Sequence, residues 1–411
     1  MSQGTTAVQA GVVHEPVVQE PVSLARLFLI FLRIGCTTWG GFMTFIAVVS
    51  KSLSARNLAS DEDITDAIMV AQMLPGPVAV DMTVAIGYRL RGIAGAAVCW
   101  LGSVTPSFIV VTTLSVLYLH YGKIPAINRV FQGFPSAMVA IVAVAAYEMG
   151  KKQVGNATQL TICVCATLAI LLQGAFFPAA WWVTLGIVVL AGLVGWRLYG
   201  GGPRPSATPP TPRRTAPSAF VPFLAAVVPA TGAGLIAKIF FTFAGMSVVL
   251  FGSGYVFIPI IKSTLVHNLH WLTVDEFTAG LALTQITPGP ILMTAAFVGV
   301  KLAGFPGAVA GMLGMFVPPA ILTLIVAHAL QLIKRSSGVM AALKGIRPAV
   351  VGMIFAAAVV VGESMPHDSA WHAIASGLIL AGALFAILRL RVEVALIIPL
   401  AGIAGFFFFL R

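Results

Sequence analysis

Charge is scarce in this sequence. Only 9% of its 411 residues are Asp, Glu, Lys or Arg, against about 25% in ordinary soluble domains. A water-facing surface cannot be built from so little charge, so a chain of two or three soluble domains is excluded. Cysteine is also sparse: Cys36, Cys99, Cys163 and Cys165 all lie in apolar stretches. Cys163 and Cys165, two apart, fall on different sides of a helix, so neither a disulfide nor a metal site is suggested. Acids are fewer than bases, 13 against 24, leaving a net charge of +11. No basic face with interleaved aromatics accompanies that excess, which argues against nucleic acid as a partner. Also missing are a nucleophile motif, a metal-ligand cluster within a span and a Walker-type glycine loop. The chain therefore reads as no enzyme, with no cofactor and no ATPase module. His267, His270, Asp275 and Glu276 look metal-like only in composition, and their loop makes solvated polar residues the default reading. Residues 1–23 lack the basic segment and short apolar core of a cleavable signal, and read as a disordered cytoplasmic tail.

What the sequence does have is apolar runs. Hydrophobic residues make up 59% of it, in stretches near the ~20 residues that cross a hydrocarbon core of about 30 Å. The fold class expected is an all-α polytopic membrane protein, with about 13 spans set by that length rule. Six precede a basic linker: 24–50, 66–88, 92–119, 128–149, 157–175 and 178–197. Seven follow it: 219–237, 239–261, 277–299, 303–330, 341–361, 371–388 and 392–410. Long spans such as 24–50 are candidates for broken helix pairs. The linker, 198–218, has six prolines in 203–217 and no acid, and reads as extended and cytoplasmic.

The chain repeats itself. Gln72-Met-Leu-Pro75-Gly76-Pro77 returns as Gln285-Ile-Thr-Pro288-Gly289-Pro290. Gly87-Tyr-Arg89-Leu-Arg-Gly92-Ile-Ala-Gly95 returns as Gly299-Val-Lys301-Leu-Ala-Gly304-Phe-Pro-Gly307. Trp39-Gly40-Gly41-Phe42 matches Phe251-Gly252-Ser253-Gly254, Thr105-Pro106 matches Val317-Pro318, and Phe131-Gln-Gly133 matches Leu343-Lys-Gly345. The offset stays at 212 or 213 throughout. The copies are assigned to 24–197 and 238–411. The span at 219–237 has no counterpart in the first copy, so the second enters the membrane from the opposite side. Inverted repeats of this kind are common in secondary transporters, whose sites lie near the midplane at the repeat interface.

Proline and glycine inside spans mark where chemistry could sit. Pro75 and Pro77 each remove a donor and oppose the carbonyl four residues back, while Gly76 relaxes the backbone. One helix should stop after Gln72 and another should start near Pro77. The N–H groups of Val78, Ala79 and Val80 would then face outward from a positive helix end able to hold an anion. Pro288-Gly289-Pro290 offers the same through Ile291 to Met293. The alternative is that both breaks are packing kinks. Gly40, Gly41, Gly252 and Ser253 form a second pair, either unwound segments or close helix contacts. Asp81 lies one turn beyond Pro77. A carboxyl is expensive at membrane depth, so it is a candidate proton-coupling group or a structural one held by the helix end. Arg33 either attracts an anion or snorkels to the cytoplasmic surface. Arg89 and Lys301, at span ends, fit topology signals better than binding roles.

These motifs resemble the chromate ion transporter family in its long, two-domain form. The resemblance rests on the aromatic-Gly segments at 39–42 and 251–254, on Gln-x-x-Pro-Gly-Pro at 72–77 and 285–290, on 87–92 with its echo at 299–304, and on Gly133 and Gly345-x-x-Pro348. It implies a bacterial inner-membrane protein that exports chromate on the proton-motive force and confers chromate resistance. It implies chromate as cargo with sulfate as a competitor, both tetrahedral dianions; apart from the resemblance, protons are a candidate coupling ion, the lipid bilayer is the surrounding partner and a homodimer is a candidate assembly. Two departures from the pattern are Asp81, where the resemblance implies Asn, and Ser253, which interrupts a glycine triplet. A membrane scaffold without transport is the alternative from another class.

Overall fold

The computed structural model describes residues 22–38, 42–122, 124–176, 182–200, 233–248, 254–334 and 336–409. Among them there is no β-strand. The first copy contains α1 (Leu24–Thr37), α2 (Phe42–Ser54), α3 (Asp61–Met73), α4 (Val78–Tyr121), α5 (Pro125–Gln132), α6 (Phe134–Gln153), α7 (Ala157–Phe176) and α8 (Trp182–Tyr199). The second contains α9 (Ala233–Ser247), α10 (Phe257–Ile261), α11 (Val274–Ile286), α12 (Thr294–Lys334), α13 (Ser337–Gly362), α14 (Ala370–Leu388) and α15 (Val394–Phe408). A 3₁₀ turn, Gly254–Val256, leads into α10, a π-helical stretch, Lys262–Asn268, follows it, and a second 3₁₀ turn, Ile291–Met293, precedes α12. Five of the described helices are long and apolar enough to cross a membrane.

α4 is not straight. Arg91 (φ −144°, ψ 25°) and Gly92 (φ 62°, ψ −150°) leave helical geometry, and Ala303 (φ −146°, ψ 24°) and Gly304 (φ 61°, ψ −147°) do the same in α12. The chain folds back there. A Cβ on Gly87 would strike the carbonyl of Gly95, and the reverse also holds; Gly299 and Gly307 repeat the arrangement. Residues eight apart in a straight helix would be separated by about 12 Å. α4 is thus a hairpin with a short arm, 78–90, and a long arm, 93–121.

The short arm also runs antiparallel to α3. Arg89 near its end pairs with Asp63 and Asp66 in the first half of α3. Lys301 pairs with Glu276 at the start of α11 in the same way. Asp63 and Glu276 also close capping boxes on Ser60 and Thr273, so one acid at each place both starts a helix and clamps its partner. Arg89 and Lys301 therefore do more than signal topology. With 13 residues each, α3 and α11 reach only about 20 Å, short of the ~30 Å core. The segments 66–88 and 277–299 enter to mid-depth, turn at Pro-Gly-Pro and return to the face they left.

The segment 24–50 resolves into a helix pair as well. The Arg91 guanidinium donates to the Val22 carbonyl at 2.9 Å, and Gly35 lies against Ser103 and Pro106. α1 therefore runs beside the long arm in the same direction and ends part-way through. α2 leads back, because α3 starts at the face where α1 began. α9 packs on α12 likewise, with Gly314 against Phe240. The second copy opens with α9 at Ala233, so the described residues of the span expected at 219–237 belong to that helix; the remainder of that span, and the basic linker from 201, lie outside the described residues.

The long arms of α4 and α12 cross the molecule in opposite directions. Tyr88, near the α4 hairpin, hydrogen-bonds His328, near the far end of α12, at 3.0 Å. The copies are inverted. Beyond the arms they interlock: α13 packs on α7 and α8 of the first copy, while α14 and α15 pack on α5 and α6. Glycine sets the closest approaches. A Cβ on Gly133 would strike the Ala401 carbonyl, and one on Gly345 the Ala191 carbonyl. Their facing partners are Gly405 and Gly195.

Candidate functional site

The two Pro-Gly-Pro turns are the tips of the hairpins α3/α4 and α11/α12, and both lie at the interface of the copies. Gly76 has φ +141° and Gly289 φ +116°, a region that side chains avoid. A Cβ on Gly76 would collide with the Asp81 carboxylate and with Pro319 of α12. A Cβ on Gly289 would stand 2.8 Å from the Ser107 Cβ of α4 and 3.0 Å from its Oγ. Ser107 and Pro319 are themselves repeat partners, each following the proline of the Thr105-Pro106 and Val317-Pro318 pair. Each tip is therefore pressed against the long arm of the other copy.

At the first tip α4 starts on Pro77 with no side-chain cap. The Val80 and Asp81 N–H groups both donate to the Pro77 carbonyl, at 2.8 and 3.0 Å. That corrects the expectation for Val80, which the turn itself satisfies. Val78 and Ala79 are buried, and their N–H groups keep no acceptor among the described residues. At the second tip the Met293 N–H reaches the Pro290 carbonyl at 3.1 Å, so the expectation for Met293 is corrected likewise and the free donors are those of Ile291 and Leu292. Pro77 and Pro290 thus close their turns through their carbonyls.

Several polar side chains converge here without partners. Both Asp81 carboxylate oxygens, the Ser107 Oγ, the Gln285 Nε2 and the Thr323 Oγ1 are buried and make no hydrogen bond of standard geometry. Thr323 of α12 faces Asp81, and the Tyr255 hydroxyl lies against Gln285. Buried polar atoms left open are rare in native folds and mark strain, catalysis or ligand sites. The 3₁₀ turn at 254–256 also touches the one at 291–293, which brings the end of the second aromatic-Gly segment to the second tip. Gly40, Gly41, Gly252 and Ser253 themselves lie outside the described residues. Gln72 lies in the last turn of α3, next to the first tip. Arg33 is not brought to either tip: it is exposed on α1 and makes no ion pair among the described residues. The cysteines are free thiols, and the described residues hold no group of three or more His, Cys, Asp or Glu placed for a metal.

Ser107, Thr323, Pro319 and Tyr255 were absent from the sequence-based set. Ser107 carried a usable signal, since it follows the repeated proline at 106 and 318. Thr323 and Tyr255 carried none, because their repeat counterparts, Val111 and Met43, are apolar.

Inverted helical repeats, hairpins that turn at mid-depth and unpaired donors at the repeat interface define a multi-pass membrane transporter. The family model described as "Chromate transporter" matches residues 25–196 and again 237–406. The chain belongs to the chromate transporter family. It is 31% identical over 94% of its length to a "Probable chromate transport protein" of Synechococcus elongatus, covering 96% of that protein. It is 28% identical to a "Chromate transport protein" of Cupriavidus metallidurans, with 87% of this chain and 86% of that protein covered. A "Chromate transport protein" of Pseudomonas aeruginosa is 29% identical over 95% of this chain and 94% of its own length. No solved structure matches the chain.

Proposed function

We propose that this protein exports chromate from the bacterial cytoplasm across the inner membrane, driven by the proton-motive force, and so confers chromate resistance. The observation that carries the reading is the pair of glycine-bent tips with unpaired N–H groups, set in a chain whose family and relatives are named for chromate transport. Helix starts at mid-depth present positive ends without a full cationic charge. A dianion can bind such ends and leave them again.

The substrate contacts in this reading are Gln72, Gly76, Pro77, Val78 and Ala79 on one tip and Gln285, Gly289, Pro290 and Ile291 on the other. Asp81 is the coupling group. It is fully buried, and no cation sits against it among the described residues. A carboxylate there changes the site's charge by one unit when it gains a proton. The face carrying Arg26, Lys51, Arg56, Arg89, Arg91, Lys151, Lys152, Arg197, Arg389 and Arg391 is cytoplasmic by the excess of basic residues. Sulfate, the same shape and charge, is the second candidate cargo.

The test is labelled chromate flux in everted vesicles from expressing cells. Uptake that needs an imposed proton gradient, and falls with excess sulfate, supports the reading. Uptake equal to that of vesicles lacking the protein, with the protein confirmed in the membrane, contradicts it.

A further inference from the structure

The two tips share a backbone and differ in what fills them. At Gly76 the space above the turn is taken by the chain's own carboxylate, since the Asp81 Oδ2 lies where a Cβ would stand. At Gly289 the repeat counterparts of Asp81 are Met293 and Thr294, so no acid is present. Instead the tip faces donors. The Ser107 hydroxyl, fully buried and unpartnered, abuts Gly289. The Gln285 amide nitrogen, one turn before the tip, is buried and makes no hydrogen bond of standard geometry, with the Tyr255 hydroxyl beside it. The Ile291 and Leu292 N–H groups complete the set. Thr294, the counterpart of the acid, is turned away to the Thr284 hydroxyl at 3.3 Å.

We infer that the oxyanion is held at one tip only, the Gly289 tip, with the Ser107 hydroxyl and the Gln285 amide as its side-chain donors, while Asp81 acts at the Gly76 tip as a tethered anion. The inference narrows the transport reading above and rests on it. A helix start holds one anion well and a second, beside the first, poorly. An oxyanion entering the Gly76 tip would have to displace a carboxylate that cannot leave. The tip at Gly289 offers the same backbone charge, two more donors and no competing acid. Tetrahedral oxyanions suit it because their four oxygens accept from several directions at once. No carboxylate stands at this tip to favour a cation instead, and the amide nitrogen and backbone N–H groups there can only donate.

Other charges around α4 do not alter this assignment. Arg89 is held by Asp63 and Asp66 of α3. Glu276 of α11 is held by Lys301, and Asp275 beside it starts that helix at the opposite face. His328 of α12 is bonded to Tyr88. Arg26 and Arg33 of α1 and Lys51 of α2 are exposed.

The experiment is equilibrium binding of labelled sulfate and chromate to the purified full-length protein and three variants, each checked to be monodisperse. Wild type is expected to bind one oxyanion per chain. Ser107→Ala removes only a hydroxyl, and Gln285→Glu keeps the shape while replacing the amide donor with an acidic oxygen. Each is expected to weaken binding at least tenfold. Asp81→Asn, which removes the repelling charge, is expected to bind more tightly. Two oxyanions per wild-type chain, or wild-type affinity in both Ser107→Ala and Gln285→Glu, would overturn the assignment to one tip. Wild-type protein that binds neither oxyanion would overturn the transport reading as well, and so separates the two failures.

Discussion

Glycine at 76 and at 289 answers two demands at once. The backbone there has positive φ, and the neighbouring Asp81, Pro319 and Ser107 leave no room for a methyl group. Backbone strain of this kind costs about 1–3 kcal/mol for a side-chain residue, before any collision is counted. Gly76→Ala and Gly289→Ala should each reduce flux more than tenfold while the protein still inserts, measured as transport per membrane-embedded molecule. Asp81 matters through its charge. Ionised, it repels a dianion held at the Gly289 tip, and the repulsion grows as water is excluded from between them. Protonation state at 81 and occupancy by an anion are therefore linked. Asp81→Asn should flatten the pH dependence of flux measured between acid and alkaline conditions. A wild-type pH profile in that variant would remove Asp81 as the coupling group.

At the scale of elements, the hairpin within α4 decides the architecture. Gly92 has φ +62° and ψ −150°, a region nearly confined to glycine, but open space around its missing Cβ, so Gly92→Ala should cost about 1–3 kcal/mol, from the backbone alone. Gly87→Leu and Gly299→Leu put bulk between the two arms, where the facing carbonyls leave none. They should lower the melting temperature in detergent far more than Gly92→Ala does; equal shifts would argue against the close packing of the arms. Much of this was legible in the sequence. The Pro-Gly-Pro breaks, the repeat and the glycine pairs 87/95 and 299/307 all stand in it. The direction of the chain after each break was not. An apolar run with a kink reads the same whether the second half continues across or turns back, and the Arg89–Asp63 and Lys301–Glu276 pairs that settle it join residues 26 and 25 positions apart. Thr323 was hidden for a similar reason, and Ser107 was marked only by the repeated proline before it: each serves a tip that belongs to the other copy.

At the scale of the molecule, the copies are inverted and interlocked. Asn57 and His270 illustrate the inversion. They occupy matching turns ahead of α3 and α11, with φ 53° and 51°, yet lie on opposite faces. Single cysteines placed there should be labelled by an impermeant maleimide from opposite sides of sealed vesicles. Labelling of both from one side would contradict the inverted arrangement. The interlocking explains why Gly133 and Gly345 recur. Each lets the last helix of one copy seat on the other copy, so the two halves cannot drift apart as separate bodies. The most direct measurement is chromate flux into liposomes that contain the purified protein and carry an imposed proton gradient, for wild type beside the Gly76→Ala, Gly289→Ala double variant. Gradient-dependent flux in the wild type, lost in the double variant, is the result predicted. Equal flux in the two would show that the glycine-bent tips are not where the oxyanion passes.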